Sequence, residues 1–137
     1  MNGRSFLDTN VLVYTDDQDS PKKQRRALQV FEECWQRRNG VVSTQVLQEY
    51  FVTATRKLGV APDVARRKTE IFGSLDLVVP GIDDILGAID MHRLHGLSFW
   101  DALVVRAALV SGCTRLFSED LQSMRRFDGL EVVNPFA

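Results

Sequence analysis

Four acidic side chains stand out by their positions beside apolar segments of the 137-residue chain. They are Asp8, Glu49, Asp101 and Asp120. Carboxylates brought together repel one another, and some become protonated unless a cation holds them. Hard oxygen ligands select Mg²⁺ or Mn²⁺, and such an ion can activate water and neutralise the charge of a phosphate. These four acids are therefore a candidate metal site for chemistry at a phosphate group.

The first acid interrupts an apolar run, SFLDTNVLVY, at residues 5–14. An ionised carboxylate inside such a run costs several kcal/mol unless it is paired, hydrogen-bonded or bound to a metal. Because Asp8 follows a predicted strand, a position facing a crevice at the end of that strand would remove this cost.

Each acid also has a purely structural explanation. Asp8 can cap the short helix that follows it. Asp101 can be the third residue of a capping box that begins at Ser98, and Asp120 can be a turn residue. Helical periodicity puts Glu49 away from the apolar stripe of its helix, which predicts exposure to solvent.

The elements that must position these acids alternate along the chain, with no linker, internal repeat or hairpin pattern. The sequence predicts strands at 5–7, 41–43, 76–81, 114–120 and 130–134. It predicts helices at 10–17, 20–40, 44–59, 61–75, 82–96 and 98–112. This alternation favours an α/β fold, a parallel sheet covered on both faces. Ligands bind such sheets at the carboxyl ends of the strands, where Asp8 and Asp120 lie.

Length and composition indicate one globular domain over residues 1–137. The chain is 45% hydrophobic and 26% charged, so disorder is not expected. No apolar run is long enough to span a bilayer, and the N-terminus lacks the apolar segment of a signal peptide. We therefore expect a cytoplasmic protein without membrane contact. Cys34 and Cys113 have no metal-binding spacing and are expected to be reduced structural thiols.

Four stretches together resemble one known family. FLDTNVLVY, VLQEY, SFWDALVVRAA and LFSED, in this order, are similar to the PIN-domain family, and in particular to its small VapC-type toxins. The resemblance covers essentially the whole chain. It implies a Rossmann-like, five-stranded parallel sheet sandwiched by helices, and a Mg²⁺- or Mn²⁺-dependent ribonuclease that cleaves RNA by attack of water.

The resemblance also implies a role for individual residues. The positions that match the catalytic acids of the family are Asp8, Glu49, Asp101 and Asp120. Asp8, Asp101 and Asp120 are the expected metal ligands, and Glu49 is expected to orient water or to bind the metal indirectly. The polar residues that would fix the carboxylates are Thr9, Asn10 and Ser118. Glu119 is not counted as a ligand.

Expected partners follow from the same resemblance. An acidic site repels the RNA backbone, so basic residues should line the approach, and Arg125 and Arg126 are the candidates because they follow Asp120 closely. The family implies a cognate antitoxin, for which we expect an apolar groove between the helices at 20–38 and 45–58. It also implies a homodimer, with contributions from helices within residues 61–95.

Three alternative functions require residues or properties that can be compared with this sequence. A haloacid-dehalogenase-type phosphatase needs a second aspartate two residues after the first, where this chain has Asn10. A phosphorylated receiver domain needs a lysine after the last strand, and LEVVNPFA has none. A PIN-fold module that binds RNA or protein without cutting it stays open, since the acids can be present in an inactive protein.

Overall fold

A central sheet between two layers of helices organises the chain in a computed structural model, which describes residues 3–121 and 125–137. The strands are β1 (Arg4–Leu7), β2 (Gly40–Ser43), β3 (Asp76–Val78), β4 (Cys113–Phe117), β5 (Arg126–Phe127) and β6 (Leu130–Val133). The helices are α1 (Thr9–Tyr14), α2 (Pro21–Arg37), α3 (Thr44–Lys57), α4 (Pro62–Phe72), α5 (Ile82–His95) and α6 (Phe99–Val110). In these two ranges, no helix is both long and apolar enough to cross a membrane.

The strand order is β3-β2-β1-β4-β6-β5, and every neighbouring pair except β6-β5 is parallel. From β1 the chain continues to β2 on one side, and β4 lies on the other. The order therefore reverses between β1 and β4, where a parallel sheet offers a crevice for ligands. Leu7 pairs with Phe117 at the ends of these strands, which brings Asp8 and Ser118 side by side.

The expected five parallel strands are confirmed, but a sixth strand makes the predicted number too low. The additional strand β5 forms a hairpin with β6 through Asp128 and Gly129, whose φ angles are 48° and 87°. Positive φ at both central residues is what a two-residue type I′ turn requires, and Asp-Gly is a preferred pair for it. The sequence therefore did contain a hairpin pattern, which the prediction missed.

Helix α6 is apolar on almost every side because it lies between the sheet and α5. Helix α5 forms the outer layer, and Ala88 is its only fully buried residue. The apolar stripe of α5 is partly exposed, with Ile82 and Leu86 exposed by 68% and 51%. A stripe with helical period thus marks a face without saying what covers it.

Helix α2 ends three residues before its predicted end at residue 40. The helix ends at Arg37, and Arg38 adopts the left-handed conformation with φ 54°. Gly40 is the first residue of β2, where a Cβ atom would lie 2.9 Å from that of Cys34. The glycine therefore permits close packing of α2 against the sheet. Both cysteines are buried and free, and burial raises the pKa of Cys34 to about 11.

A polar cluster anchors α1, which carries the residues that follow Asp8. The Lys68 ammonium donates to Asp16 at 2.6 Å and to the Thr15 hydroxyl at 2.7 Å. The Tyr50 hydroxyl donates to the other oxygen of Asp16 at 2.6 Å. Since Lys68 lies on α4 and Tyr50 on α3, the end of α1 is tied to both helices.

Candidate active site

A cavity of about 700 Å³ opens at the carboxyl ends of β1 and β4. All four predicted acids line it: Asp8, Glu49, Asp101 and Asp120. They come from four separate segments, the ends of β1 and β4 and the first halves of α3 and α6. The topology therefore brings together residues that lie up to 112 positions apart in the sequence (120 − 8 = 112).

Asp8 lies at the floor of this cavity and is only 6% exposed. One carboxylate oxygen accepts from the Thr9 N–H at 2.7 Å, so Asp8 does cap α1, as its structural explanation proposed. The other accepts from the fully buried Ser118 hydroxyl at 2.7 Å. Burial raises the pKa of Asp8 to about 6, helped by the charges of Asp101 and Glu49 and opposed by these two hydrogen bonds.

Glu49 is half-buried, and the expectation that it is solvent-exposed was wrong. Its carboxylate accepts from the Thr9 hydroxyl at 2.6 Å and from the Gln45 amide at 3.4 Å. Helix α3 contacts α4 on one side and α1 on another, so its apolar stripe marks only one of two covered faces. Periodicity alone could not show the second face.

Asp120 and Asp101 are held in different ways. The Asn10 side-chain amide donates to Asp120 at 3.0 Å, while its carbonyl oxygen accepts from the Glu119 N–H at 3.2 Å. The Asp101 N–H donates to the Ser98 hydroxyl at 3.1 Å, which caps α6. The reciprocal bond from the Ser98 N–H to the Asp101 carboxylate is not formed, so the Asp101 side chain faces the cavity without a capping role.

Glu119 lines the same cavity but is occupied by other partners. Its carboxylate accepts from the Tyr14 hydroxyl at 2.7 Å and from the Lys23 ammonium at 2.5 Å. Burial opposes its ionisation, but these two bonds outweigh that effect and lower the pKa of Glu119. Tyr14 and Lys23 were not predicted as site residues, and no local pattern distinguishes them from other residues of α1 and α2.

The carboxylate oxygens of the four acids suit a hard cation, although the side chains do not converge on one point. Across residues 3–121 and 125–137, no three Asp, Glu, His or Cys side chains converge closely enough to hold a metal ion. Two of the acids instead receive hydrogen bonds from Thr9 and Asn10. The four acids offer only oxygen ligands, as Mg²⁺ and Mn²⁺ prefer. A bound cation would also offset the cost of burying the Asp8 carboxylate.

The arginines predicted to approach RNA lie outside this cavity. Arg125 donates to the His95 carbonyl oxygen at 3.1 Å and lies over the Phe127 ring, and Arg126 is 3.7 Å from Glu131. Among the residues that the structure describes, the basic side chain in the cavity lining is that of Lys57, at the end of α3, which the sequence did not single out.

Comparison with known proteins identifies the family. The family model of the PIN domain matches residues 5–130. The chain belongs to the PIN domain family. A search of curated proteins finds no matching relative.

Two solved structures share this PIN fold at low sequence identity. A toxin–antitoxin complex from Klebsiella pneumoniae aligns with 18% identity and a TM-score of 0.69, over 96% of this chain and 97% of that one. VapC20 of Mycobacterium tuberculosis, a toxin that cleaves the sarcin–ricin loop, aligns with 17% identity and a TM-score of 0.64, over 85% and 89%. At these identities the likeness shows the fold.

The raised pKa of Asp8 predicts an unusual pH dependence of stability. Between its ordinary value of 3.8 and about 6, the folded chain retains a proton that the unfolded chain has released. Stability should therefore fall as pH rises through this window, by about 3 kcal/mol once pH exceeds 6. Asp8→Asn cannot ionise, so its free energy of unfolding relative to wild type should rise by that amount between about pH 4 and 7.

Urea denaturation of both proteins in EDTA measures this difference. Asp90→Asn is the matched control, because Asp90 is an exposed carboxylate on α5 away from the cavity. Its difference from wild type should stay constant with pH. Parallel pH curves for wild type and Asp8→Asn would contradict the raised pKa.

Proposed function

We propose that this chain is a Mg²⁺- or Mn²⁺-dependent endoribonuclease, the toxin of a type II toxin–antitoxin pair, acting as a single cytoplasmic PIN domain over residues 1–137. The observation that carries the proposal is the buried carboxylate of Asp8 at the floor of a cavity lined by Glu49, Asp101 and Asp120. The PIN fold and its likeness to a toxin–antitoxin complex and to VapC20 support it.

In this proposal the acids hold a cation, with Asp8, Asp101 and Asp120 as ligands. When bound, the cation would supply charge neutralisation at the phosphate and a more acidic water. The remaining work falls to the chain. The Ser118 hydroxyl and the Thr9 N–H fix the orientation of Asp8, and the Asn10 amide fixes that of Asp120. Such hydrogen bonds orient ligands and tune their basicity.

Glu49 is the proposed general base. Its carboxylate lines the cavity, and the Thr9 hydroxyl and the Gln45 amide hold its two oxygens. A base held in this way can accept a proton from an attacking water without reorganisation of the side chain. The resemblance to PIN-domain ribonucleases implies products with 5′-phosphate and 3′-hydroxyl ends, with the 3′-oxygen as leaving group. These ends fit attack by water, which does not use the 2′-hydroxyl of RNA.

Cleavage of RNA by the purified chain tests this proposal. Asp8→Asn is nearly isosteric and removes one charge, so it should abolish cleavage in Mn²⁺ while the protein remains folded. Wild type should also gain stability from Mn²⁺, by about 2.7 kcal/mol at a hundredfold excess over the dissociation constant. For a domain of this size that corresponds to a rise in melting temperature of roughly ten degrees.

The matched control is again Asp90→Asn, which should cleave RNA and respond to Mn²⁺ as wild type does. Thermal melts with EDTA and with a Mn²⁺ series, together with gel analysis of a single-stranded RNA, give both readouts. Cleavage by Asp8→Asn at the wild-type rate would end the nuclease assignment of this cavity.

A second candidate function is RNA or protein binding without cleavage. It is favoured by the absence, within the described ranges, of three metal-binding side chains that already converge. This alternative predicts that Mn²⁺ leaves the melting temperature unchanged and that RNA remains intact in every metal tested.

An antitoxin partner is part of the proposal, and the structure changes where we expect it to bind. The groove was predicted between α2 and α3, but an apolar groove lies between α3 and α4, lined by Leu47, Phe51 and Val52. Gln48 and Val52 line both this groove and the acidic cavity. A segment seated in the groove would therefore reach the acids.

Co-expression with the adjacent open reading frame should restore growth and give a stable complex. Phe51→Asp places a charge in the groove away from the four acids. This variant should therefore keep its nuclease activity and should no longer be inhibited by the antitoxin. Val64→Asp is the control, since Val64 is a comparably exposed residue on α4 that does not line the groove. A complex that forms equally well with Phe51→Asp would place the partner elsewhere.

A homodimer is also proposed, through the exposed stripe of α5. Ile82, Ile85, Leu86 and Ile89 follow helical spacing and remain partly or largely exposed. We expect a dimer by light scattering at tens of micromolar and a monomer for Leu86→Lys. Arg93→Glu, an exposed change of charge on the same helix, should leave the dimer intact. A wild-type monomer at that concentration would contradict this proposal.

A further inference from the structure

Trp100 is a large, exposed aromatic residue that lines the acidic cavity. Its side chain is 60% exposed, although it lines the same cavity as the four acids. It directly precedes Asp101 in the first turn of α6, so their Cα atoms are about 3.8 Å apart. Because both residues also line the cavity, a ligand bound there can contact the indole and the Asp101 carboxylate together.

The position of this indole is fixed from behind. The Gln45 amide donates to the Trp100 carbonyl oxygen at 3.2 Å, which ties the first turn of α6 to α3. The Phe99 ring meets the indole edge-to-face, with centroids 5.1 Å apart and planes at 74°. Phe99 itself packs against the core. The contact with Phe99 and the hydrogen bond to the backbone thus hold the indole in place, while more than half of the surface of Trp100 remains available to a ligand.

The cavity around Trp100 is lined by both apolar and acidic side chains. Val104, one turn further along α6, and Val52, on α3, continue the apolar wall of the cavity. The four carboxylates line the same cavity, and Lys57 is the basic residue among the described lining. A ligand suited to this lining presents a flat, uncharged apolar surface to the indole, close to a group that needs a cation.

A nucleotide has this combination of a planar base and a phosphate. We propose that Trp100 stacks on an unpaired base beside the phosphate that the acids act on, and so selects single-stranded RNA. This inference rests on the proposed function. Base–aromatic stacking tolerates every base, because each has a π-face, and it requires a base that is not already stacked in a duplex.

The negative charge of the cavity makes the stacking contact important for the affinity for RNA. The acids repel the phosphate backbone, and Lys57 is the basic residue among the described lining, so basic side chains supply less of the affinity in the cavity than in most nucleic-acid interfaces. A stacking contact contributes no counterion release, and its share of the affinity should therefore change little with salt. The loss caused by removing the indole should be equal at low and high ionic strength.

Tryptophan fluorescence can observe the contact directly, because the chain has only two tryptophans, Trp35 and Trp100. In Trp35→Phe the remaining indole reports on the cavity. Titration with a single-stranded oligoribonucleotide, in a buffer that contains Ca²⁺, should quench this fluorescence saturably. Gels verify that the RNA stays intact. The same oligonucleotide as a duplex, or with abasic sites, should quench weakly. In Trp100→Phe the signal from Trp35 should not respond.

Substitution gives the energetic test. Trp100→Ala should weaken binding of single-stranded RNA by roughly 5- to 150-fold, and Trp100→Phe should recover most of this loss. In cleavage assays the loss should appear mainly in KM rather than kcat. Trp35→Ala is the matched control on α2, outside the cavity, and should bind RNA as wild type does.

The outcomes separate this inference from the nuclease proposal. Quenching without cleavage in Mg²⁺ or Mn²⁺ would support stacking and refute the nuclease. Cleavage with unchanged KM in Trp100→Ala and no quenching would refute stacking and leave the nuclease intact. Equal quenching by duplex and single strand, or a defect of Trp100→Ala confined to binding an antitoxin, would also overturn the inference.

Discussion

The hydrogen bond from the buried Ser118 hydroxyl to the Asp8 carboxylate is the contact on which the rest of the site depends. It joins the ends of β1 and β4, the two strands between which the sheet order reverses. The Asp8 N–H also donates to the Phe117 carbonyl oxygen at 3.0 Å, so backbone and side chain fix the same junction. Burial of the Asp8 carboxylate costs free energy, and it occurs at a place in the fold where a ligand can approach.

From this junction the other acids are placed by short polar connections. Thr9 follows Asp8 and reaches Glu49, while Asn10 reaches Asp120 and the backbone of Glu119. A single turn of helix thus orients carboxylates from two other segments. The cluster of Lys68, Asp16 and Tyr50 holds the far end of that helix against α3 and α4. A displacement of α1 would therefore change the orientation of every one of the four acids except Asp101.

Much of this arrangement could be predicted because strong local patterns agree with the global fold. The alternation of strands and helices predicted a parallel sheet, and parallel strands bring their carboxyl ends to one edge. What failed depends on contacts between distant segments. The partial burial of Glu49 against α1 depends on which helices become neighbours. The ion pair of Glu119 with Lys23, on which the sequence made no prediction, depends on them too. The hairpin at Asp128 was different, since its turn residues were visible and were overlooked.

The two outer strands of the sheet have a consequence for how the protein can associate. β3 has three residues and β5 has two, and each carries a charged residue, Asp76 or Arg126. Short, charged edges offer few free backbone groups for pairing with another chain. Growth of the sheet from one molecule into the next is therefore disfavoured, which protects the chain from edge-to-edge aggregation. Any specific assembly is left to the helical faces, where side chains rather than backbone amides decide which surfaces meet.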